Sequence, residues 1–189
     1  MATQLTSFIP DVAVKLPGCP KIIIQHYLLN VIREFSSKTL INNSWIDLSI
    51  TSGNKEYSLS APSNTEIVDV IRVVYDDSDE QDFNDYYYLA DSFWLTYEPT
   101  DDFDLDVLVG LRPVSTVTEV DDFYYNDWLD TIVDGVVYKL ASMNKKDWSD
   151  PALAQVAFNN YFIGINKAKA LVYERLFNNT GTTIQKSFI

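Results

Sequence analysis

The spacing of apolar residues changes period twice along this chain. Upstream of position 38, Ile24, Leu28, Val31, Ile32 and Phe35 recur every three or four residues, the stripe of an amphipathic helix. Pro20 suits the first position of that helix, where the N–H it lacks would have no partner. From Trp45 the period falls to two. Trp45-Ile46-Asp47-Leu48-Ser49-Ile50 alternates, Ser52-Gly53-Asn54-Lys55 reads as a turn, and Glu56-Tyr57-Ser58-Leu59 is the expected hairpin partner. The β-branched run 67–75 predicts a central strand, and 86–89, 93–97, 105–111 and 115–118 predict shorter ones. The helical period returns after Asp121 and Asp122, whose charge favours a helix N-terminus, with Trp128, Leu129, Ile132, Val133, Val136, Val137 and Leu140 on one stripe. A last helix is predicted with Asp150 as cap and Pro151 first. It runs through Val156, Ile163, Ala170 and Leu171 to about position 178, with Gly181 beyond as a stop.

This order predicts an α+β protein: an antiparallel helical bundle of three main helices with an inserted small antiparallel β-sandwich or barrel domain. The expected parts are 1–42 (N-terminal segment and first helix), 43–118 (β-domain), 119–179 (second and third helices) and 180–189 (an extended tail). The tail residues Thr182, Thr183, Ile184, Lys186, Phe188 and Ile189 are β-prone and end on an apolar pair. Fraying and docking onto a partner surface are both open for them.

Charge sharpens the picture at one place. Twelve acids and no lysine or arginine lie between positions 76 and 106, while the other fifteen acids face fourteen bases. The net charge of −13 is therefore local to the β-domain. Phosphate affinity comes from clustered bases, so nucleic-acid readout is not expected. The absence of a basic, apolar leader and of any run near 18 apolar residues predicts a soluble, intracellularly made protein with no membrane span. One cysteine, Cys19, permits no internal disulfide. The triplets at Asn42 and Asn178 match a glycosylation signal by chance in such a context.

The residues needed for familiar chemistry are sparse. One histidine, His26, sits in a helical stretch beside Tyr27, and one cysteine cannot build a zinc site. Neither a nucleophile–base pair nor a glycine-rich phosphate loop is legible, so no catalytic residue, metal or cofactor is expected. Asp77, Asp79 and Asp82 are weak cation candidates, in a stretch without the glycine and final glutamate of a calcium loop. Tyr86, Tyr88, Trp94 and Tyr97 form a candidate partner surface on the β-domain. Aromatics among carboxylates also fit a carbohydrate- or small-ligand-binding module, the alternative reading, and a carboxylate-dependent hydrolase ranks last.

Several stretches carry a family resemblance. Phe8-Ile9-Pro10-Asp11-Val12 is followed by Leu16-Pro17-Gly18-Cys19-Pro20 and a helix ending in Ile32-Arg33-Glu34-Phe35. Tyr57-Ser58-Leu59-Ser60-Ala61-Pro62 leads into Glu66-Ile67-Val68-Asp69-Val70-Ile71-Arg72-Val73, and Asn144-Lys145-Lys146-Asp147-Trp148-Ser149-Asp150-Pro151 opens the last helix. Together they resemble the head-to-tail adaptor (connector) proteins of tailed bacteriophages, over most of 8–75 and 113–178. The acidic island lies outside the resemblance. It implies a structural protein of the virion neck, made in the bacterial cytoplasm, that forms a ring of about twelve copies under the portal protein. The ring would receive a tail or nozzle protein and let DNA pass unread. The tail 180–189 would grip the portal, Pro17, Gly18 and Pro20 would stiffen the turn into the first helix, and Trp148 and Pro151 would fix the turn between the second and third. It also implies a chain that is monomeric or weakly associated until it meets the portal.

Overall fold

The computed structural model describes residues 2–75, 82–89 and 91–177. The chain opens with strand β1 (Ala2–Gln4), a 3-10 turn (Leu5–Phe8) and a short helix α1 (Ile9–Lys15). Leu16, Pro17, Gly18 and Cys19 then form a tight turn closed by Cys19 N–H donating to Leu16 O at 3.2 Å. Proline at its second position and glycine at its third, at φ +87°, are the residues a type II turn demands. Helix α2 (Lys21–Thr39) follows. Pro20 stands outside it as the cap, with extended backbone, and its carbonyl accepts from Ile23 and Ile24; the expected first-turn placement is one residue off.

Six strands come next: β2 (Asn43–Ile50), β3 (Glu56–Ser58), β4 (Thr65–Tyr75), β5 (Tyr86–Leu89), β6 (Ser92–Leu95) and β7 (Phe103–Pro113). The expected hairpin between β2 and β3 does not form. β2 pairs antiparallel with β7, and β3 pairs with β6, because the turn at residues 51–55 sends the two strands into different sheets. The sheet orders are β2-β7-β4 and β3-β6-β5. The run at 67–75 is therefore an edge strand, and β7 is central. That exchange fits the burial: Leu105 and residues 107–111 of β7 are all buried, whereas β4 is mostly half-buried and carries two register shifts. Residues 115–118, expected as a strand, form a turn. Leu48, Ile50, Val70, Val73, Phe93, Leu95, Val107 and Val109 from both sheets share one apolar cluster.

Strand β8 (Glu119–Asp121) pairs with β1 in a third, two-stranded sheet. The helix expected from Asp122 is broken into α3 (Phe123–Asn126) and α4 (Leu129–Ala141), with Trp128 between them seated against the Phe35 ring at 5.2 Å. Helix α5 (Pro151–Phe177) starts where Asp150 Oδ1 accepts from the N–H groups of Ala152 and Leu153, both at 3.0 Å, satisfying two otherwise unpaired donors. In the preceding turn, Asp150 N–H donates to Ala141 O at 3.0 Å and Trp148 packs on the helical core.

The described residues thus hold five α-helices and three small antiparallel sheets, which corrects the expectation of a three-helix bundle with a single sandwich or barrel. The mixed α+β character remains. A second core joins α1, α2, α4 and α5 through Val12, Ile24, Leu28, Phe35, Ile132, Val136, Tyr161 and Ile165. Two glycines let these helices touch: a Cβ on Gly135 would lie 2.7 Å from Val31, and one on Gly164 would lie 2.3 Å from Thr131. No described helix is long and apolar enough to cross a membrane.

Candidate functional site

The charged side chains inside the fold are committed to structure. Glu66 of β4 accepts from Arg33 of α2 at 2.8 Å and from Arg112 of β7 at 2.5 Å. Arg33 also donates to Pro113 O, and Arg112 to Ser37 Oγ at 3.3 Å, so three charges clamp the β-sheet onto the helical layer. Burial pushes the Glu66 carboxyl up, but the hydrogen bonds from Arg112 and Arg33 outweigh it and hold it below the ordinary range. Glu34 is arranged alike: burial raises it, and hydrogen bonds from Lys139 and Lys38 bring it below its usual value. The buried Asp134 meets Lys15 at 2.7 Å, tying α1 to α4.

The candidate catalytic groups do not converge. His26 accepts from Asn30 Nδ2 at 3.1 Å on the exposed side of α2, whereas Cys19 is buried in the helical core, where burial raises its thiol. The Tyr124 phenol is pushed up to about 12, chiefly by burial, and its oxygen lies 2.6 Å from Ser36 Oγ inside the core. Among the described residues no three His, Cys, Asp or Glu side chains gather to hold a metal ion. Of the cation candidates, Asp82 accepts from Arg72 Nε at 2.7 Å, and Asp77 and Asp79 lie outside the described residues.

The proposed aromatic surface is split by the pleat. Residues directly opposite in an antiparallel pair point to one face. Tyr86 opposes Leu95 and Tyr88 opposes Phe93, toward the core, while Trp94 opposes Tyr87 on the other face. Tyr86 stacks on Phe93 at 5.1 Å, and Tyr88 O–H donates to Asp69, a bond that with burial raises its phenol. Trp94 stacks on Tyr87 at 5.3 Å and an interplanar angle of 12°, so each ring spends a face on the other. Tyr97, 40 % exposed, lies beyond the end of β6. The four residues do not make one platform; Tyr87 is the outward partner the sequence reading missed.

The most distinctive surface lies on α5. Ala154, Ala157, Tyr161, Ile165, Ala168 and Val172 face the core. Val156 and Ile163, 57 % and 54 % exposed, lie on the opposite side at a seven-residue spacing that continues to the exposed Ala170. No family model matches the chain, and no curated protein matches it. Beside the C-terminal half of α5 runs a groove of about 1000 Å³, bounded across from it by Ile41–Asn43 and by Phe123, Asp127 and Trp128. Its α5 wall is Lys167, Ala170, Leu171, Glu174 and Arg175, one face of the helix by spacing. The groove draws on three distant segments and has no local signature. The predicted portal-docking residues Thr182, Thr183, Ile184, Lys186, Phe188 and Ile189 lie outside the described residues.

Proposed function

We propose that the chain is a structural head-to-tail adaptor of a tailed bacteriophage, a subunit of a ring beneath the portal protein that receives a tail or nozzle protein and lets DNA pass. The observation that carries this reading is the second apolar face of α5. A helix apolar on two opposite sides calls for two packing partners, and the described chain covers one of them. The stretches resembling connectors include the turn at residues 16–19, the cap at Asp150 and the start of α5, so they fall on the scaffold that holds this face. The charged residues of the interior serve ion pairs within the fold, which fits a structural part better than an enzyme. On this reading the protein resides at the virion neck after synthesis in the host cytoplasm.

Charge constrains the assembly. At −13 per chain, a ring of about twelve copies carries roughly −156 before counterions, so the acidic β-domain surface belongs away from the subunit contacts. Mass photometry of the purified chain, alone and with the portal ring of the same genome, tests the proposal. The expected result is a particle near 21.6 kDa alone and a many-copy complex with the portal. A chain that ignores the portal, or virions whose portal–tail junction lacks it by cryo-electron microscopy, sinks the reading.

A further inference from the structure

The backbone of β2 is open along one side. It is the outer strand of the β2-β7-β4 sheet, eight residues in unbroken register with β7. Leu111 N–H donates to Asn42 O at 2.7 Å, and hydrogen-bonded pairs alternate along an antiparallel ladder. Ser44, Ile46, Leu48 and Ile50 therefore bond to β7, while the N–H and C=O groups of Asn43, Trp45, Asp47 and Ser49 point outward. All four of these residues are exposed. Among the described residues no strand pairs with that side, and Trp45 O accepts only from Ser44 Oγ, at 3.3 Å. The other edges are guarded by irregularity or shortness. β4 carries two register shifts and is met by Asp82 at Val74, and β3 and β5 span three and four residues. β2 has no proline, lysine or bulge.

We propose that this edge receives an extended segment of a partner protein, antiparallel to β2 and alternating basic with apolar residues. Charge selects the occupant. Residues opposite one another share a face, so Trp45 and Asp47 lie beside Leu108 and Asp106, and Ser49 beside Asp104. The paired residues 43–50 and 103–110 hold these three acids and no base. Arg72, on the same face in β4, donates to Asp82. Asp47 stands directly opposite Asp106, an arrangement of like charges that a cation beside Asp47 relieves. A lysine or arginine on the incoming strand supplies that cation, and an arginine also stacks on the exposed Trp45 indole. The alternate residues fall on the other face, where the apolar cluster of the two sheets reaches the edge through the half-buried Ile46. Antiparallel addition continues the pairing of every described sheet. A second copy of this chain is the wrong occupant, because β2 against β2 gathers three acids from each onto one face. The inference stands on the edge and its charge and not on the connector reading.

Peptide titration against the full chain tests the edge. The probe is a peptide of about eight residues alternating arginine and valine, with acetylated and amidated ends, matched in length to β2. In antiparallel pairing the arginines sit opposite Trp45 and Asp47, so their N–H groups face β2 and those of the valines face away. N-methylation of the arginine amides is expected to weaken binding about ten-fold, and N-methylation of the valine amides by less than about two-fold. Equal loss from the two, or no binding of the parent peptide, overturns the proposal. Asp47→Lys tests the chain's side of the contact. It places a lysine opposite Asp106 and beside the incoming arginines, so the melting midpoint should hold or rise while affinity falls about ten-fold. Undiminished affinity in the folded variant, or equal binding of a glutamate–valine peptide, refutes the basic occupant. Amide exchange locates the contact: at saturation the N–H groups of Trp45, Asp47 and Ser49 should exchange about ten-fold more slowly than in the free chain. Protection of those amides before any peptide is added would mean that the edge is already covered, by a second copy where it grows with concentration, and sinks the proposal.

Discussion

Tyr161 sets aromatic bulk and a polar atom at odds. Its ring fills the space above Gly135, but its hydroxyl is buried with no hydrogen-bond partner among the described residues. Burial, with the Glu34 carboxylate nearby, pushes the phenol far above its ordinary value, so it stays neutral. An unpaired buried hydroxyl costs about 1–3 kcal/mol, more than the small void its removal leaves. Tyr161→Phe is therefore expected to stabilise the protein by about 1 kcal/mol, a rise of about 3 °C in the midpoint of a thermal melt. A lower midpoint would mean that the hydroxyl has a partner after all. Gly164 shows the opposite balance. Alanine in a helix gains about 1 kcal/mol over glycine, but here the new methyl would lie 2.3 Å from Thr131 Cγ2 and Oγ1 and 2.8 Å from its Cβ. Overpacking of that kind costs about 1–3 kcal/mol, and it wins because the Thr131 Cβ cannot rotate away. Gly164→Ala should lower the melting midpoint, and adding Thr131→Ala should recover part of the loss, a coupling that a double-mutant cycle measures.

At the scale of elements, the joint between sheet and helices hangs on Glu66. Its folded carboxyl lies below the ordinary value of about 4.3, so its stabilisation is complete above that pH and is lost as pH falls through the lower folded value. Glu34 shifts in the same direction and adds to the same acid window. Because Glu66 is 38 % exposed, solvent screens the cluster, and Glu66→Gln is expected to cost only about 1 kcal/mol at pH 7. The variant should flatten the loss of stability below pH 4.5, read by urea denaturation from pH 3 to 7; an unchanged acid slope would show that the clamp does not govern it. Gly110 belongs to the same joint, since a Cβ there would meet Leu40 at 2.6 Å. These elements were unevenly legible. The start of α5 could be read from Asp150 and Pro151 because a cap is a local contact. The partners of β2 and β3 could not, because alternation identifies a face but not the strand across the ladder. α1 and β1 escaped notice because each is too short for its period to recur even twice, and β1 finds its partner at β8, more than a hundred residues along the chain. The groove was invisible for the same reason, being assembled from residues 41–43, 121–128 and 167–175.

For the whole molecule, the proposed ring sets an apolar gain against an electrostatic cost. The outward face of α5 offers Val156, Ile163 and Ala170 along a helix of about 40 Å, and burying one such aliphatic side chain contributes about 1.5–3 kcal/mol. Against this stands repulsion among chains that each carry −13. Salt separates the two terms, because it shortens the Debye length from about 10 Å at 0.1 M to about 3 Å at 1 M and leaves aliphatic contacts in place. Occupancy of the portal by the natural chain should therefore rise with sodium chloride over that range, in contrast to an interface held by opposite charges. Ile163→Lys removes the apolar contact and puts a solvated ammonium at the centre of the face, so it should abolish loading at every salt concentration. Ile163 is half-exposed in the single chain, so the melting midpoint should move by less than about 2 °C. Mass photometry of portal complexes across the salt series, beside melts of both proteins, reads each term. Loading that falls with salt would assign the contact to charge, and normal loading of a well-folded Ile163→Lys would clear α5 of any part in the interface.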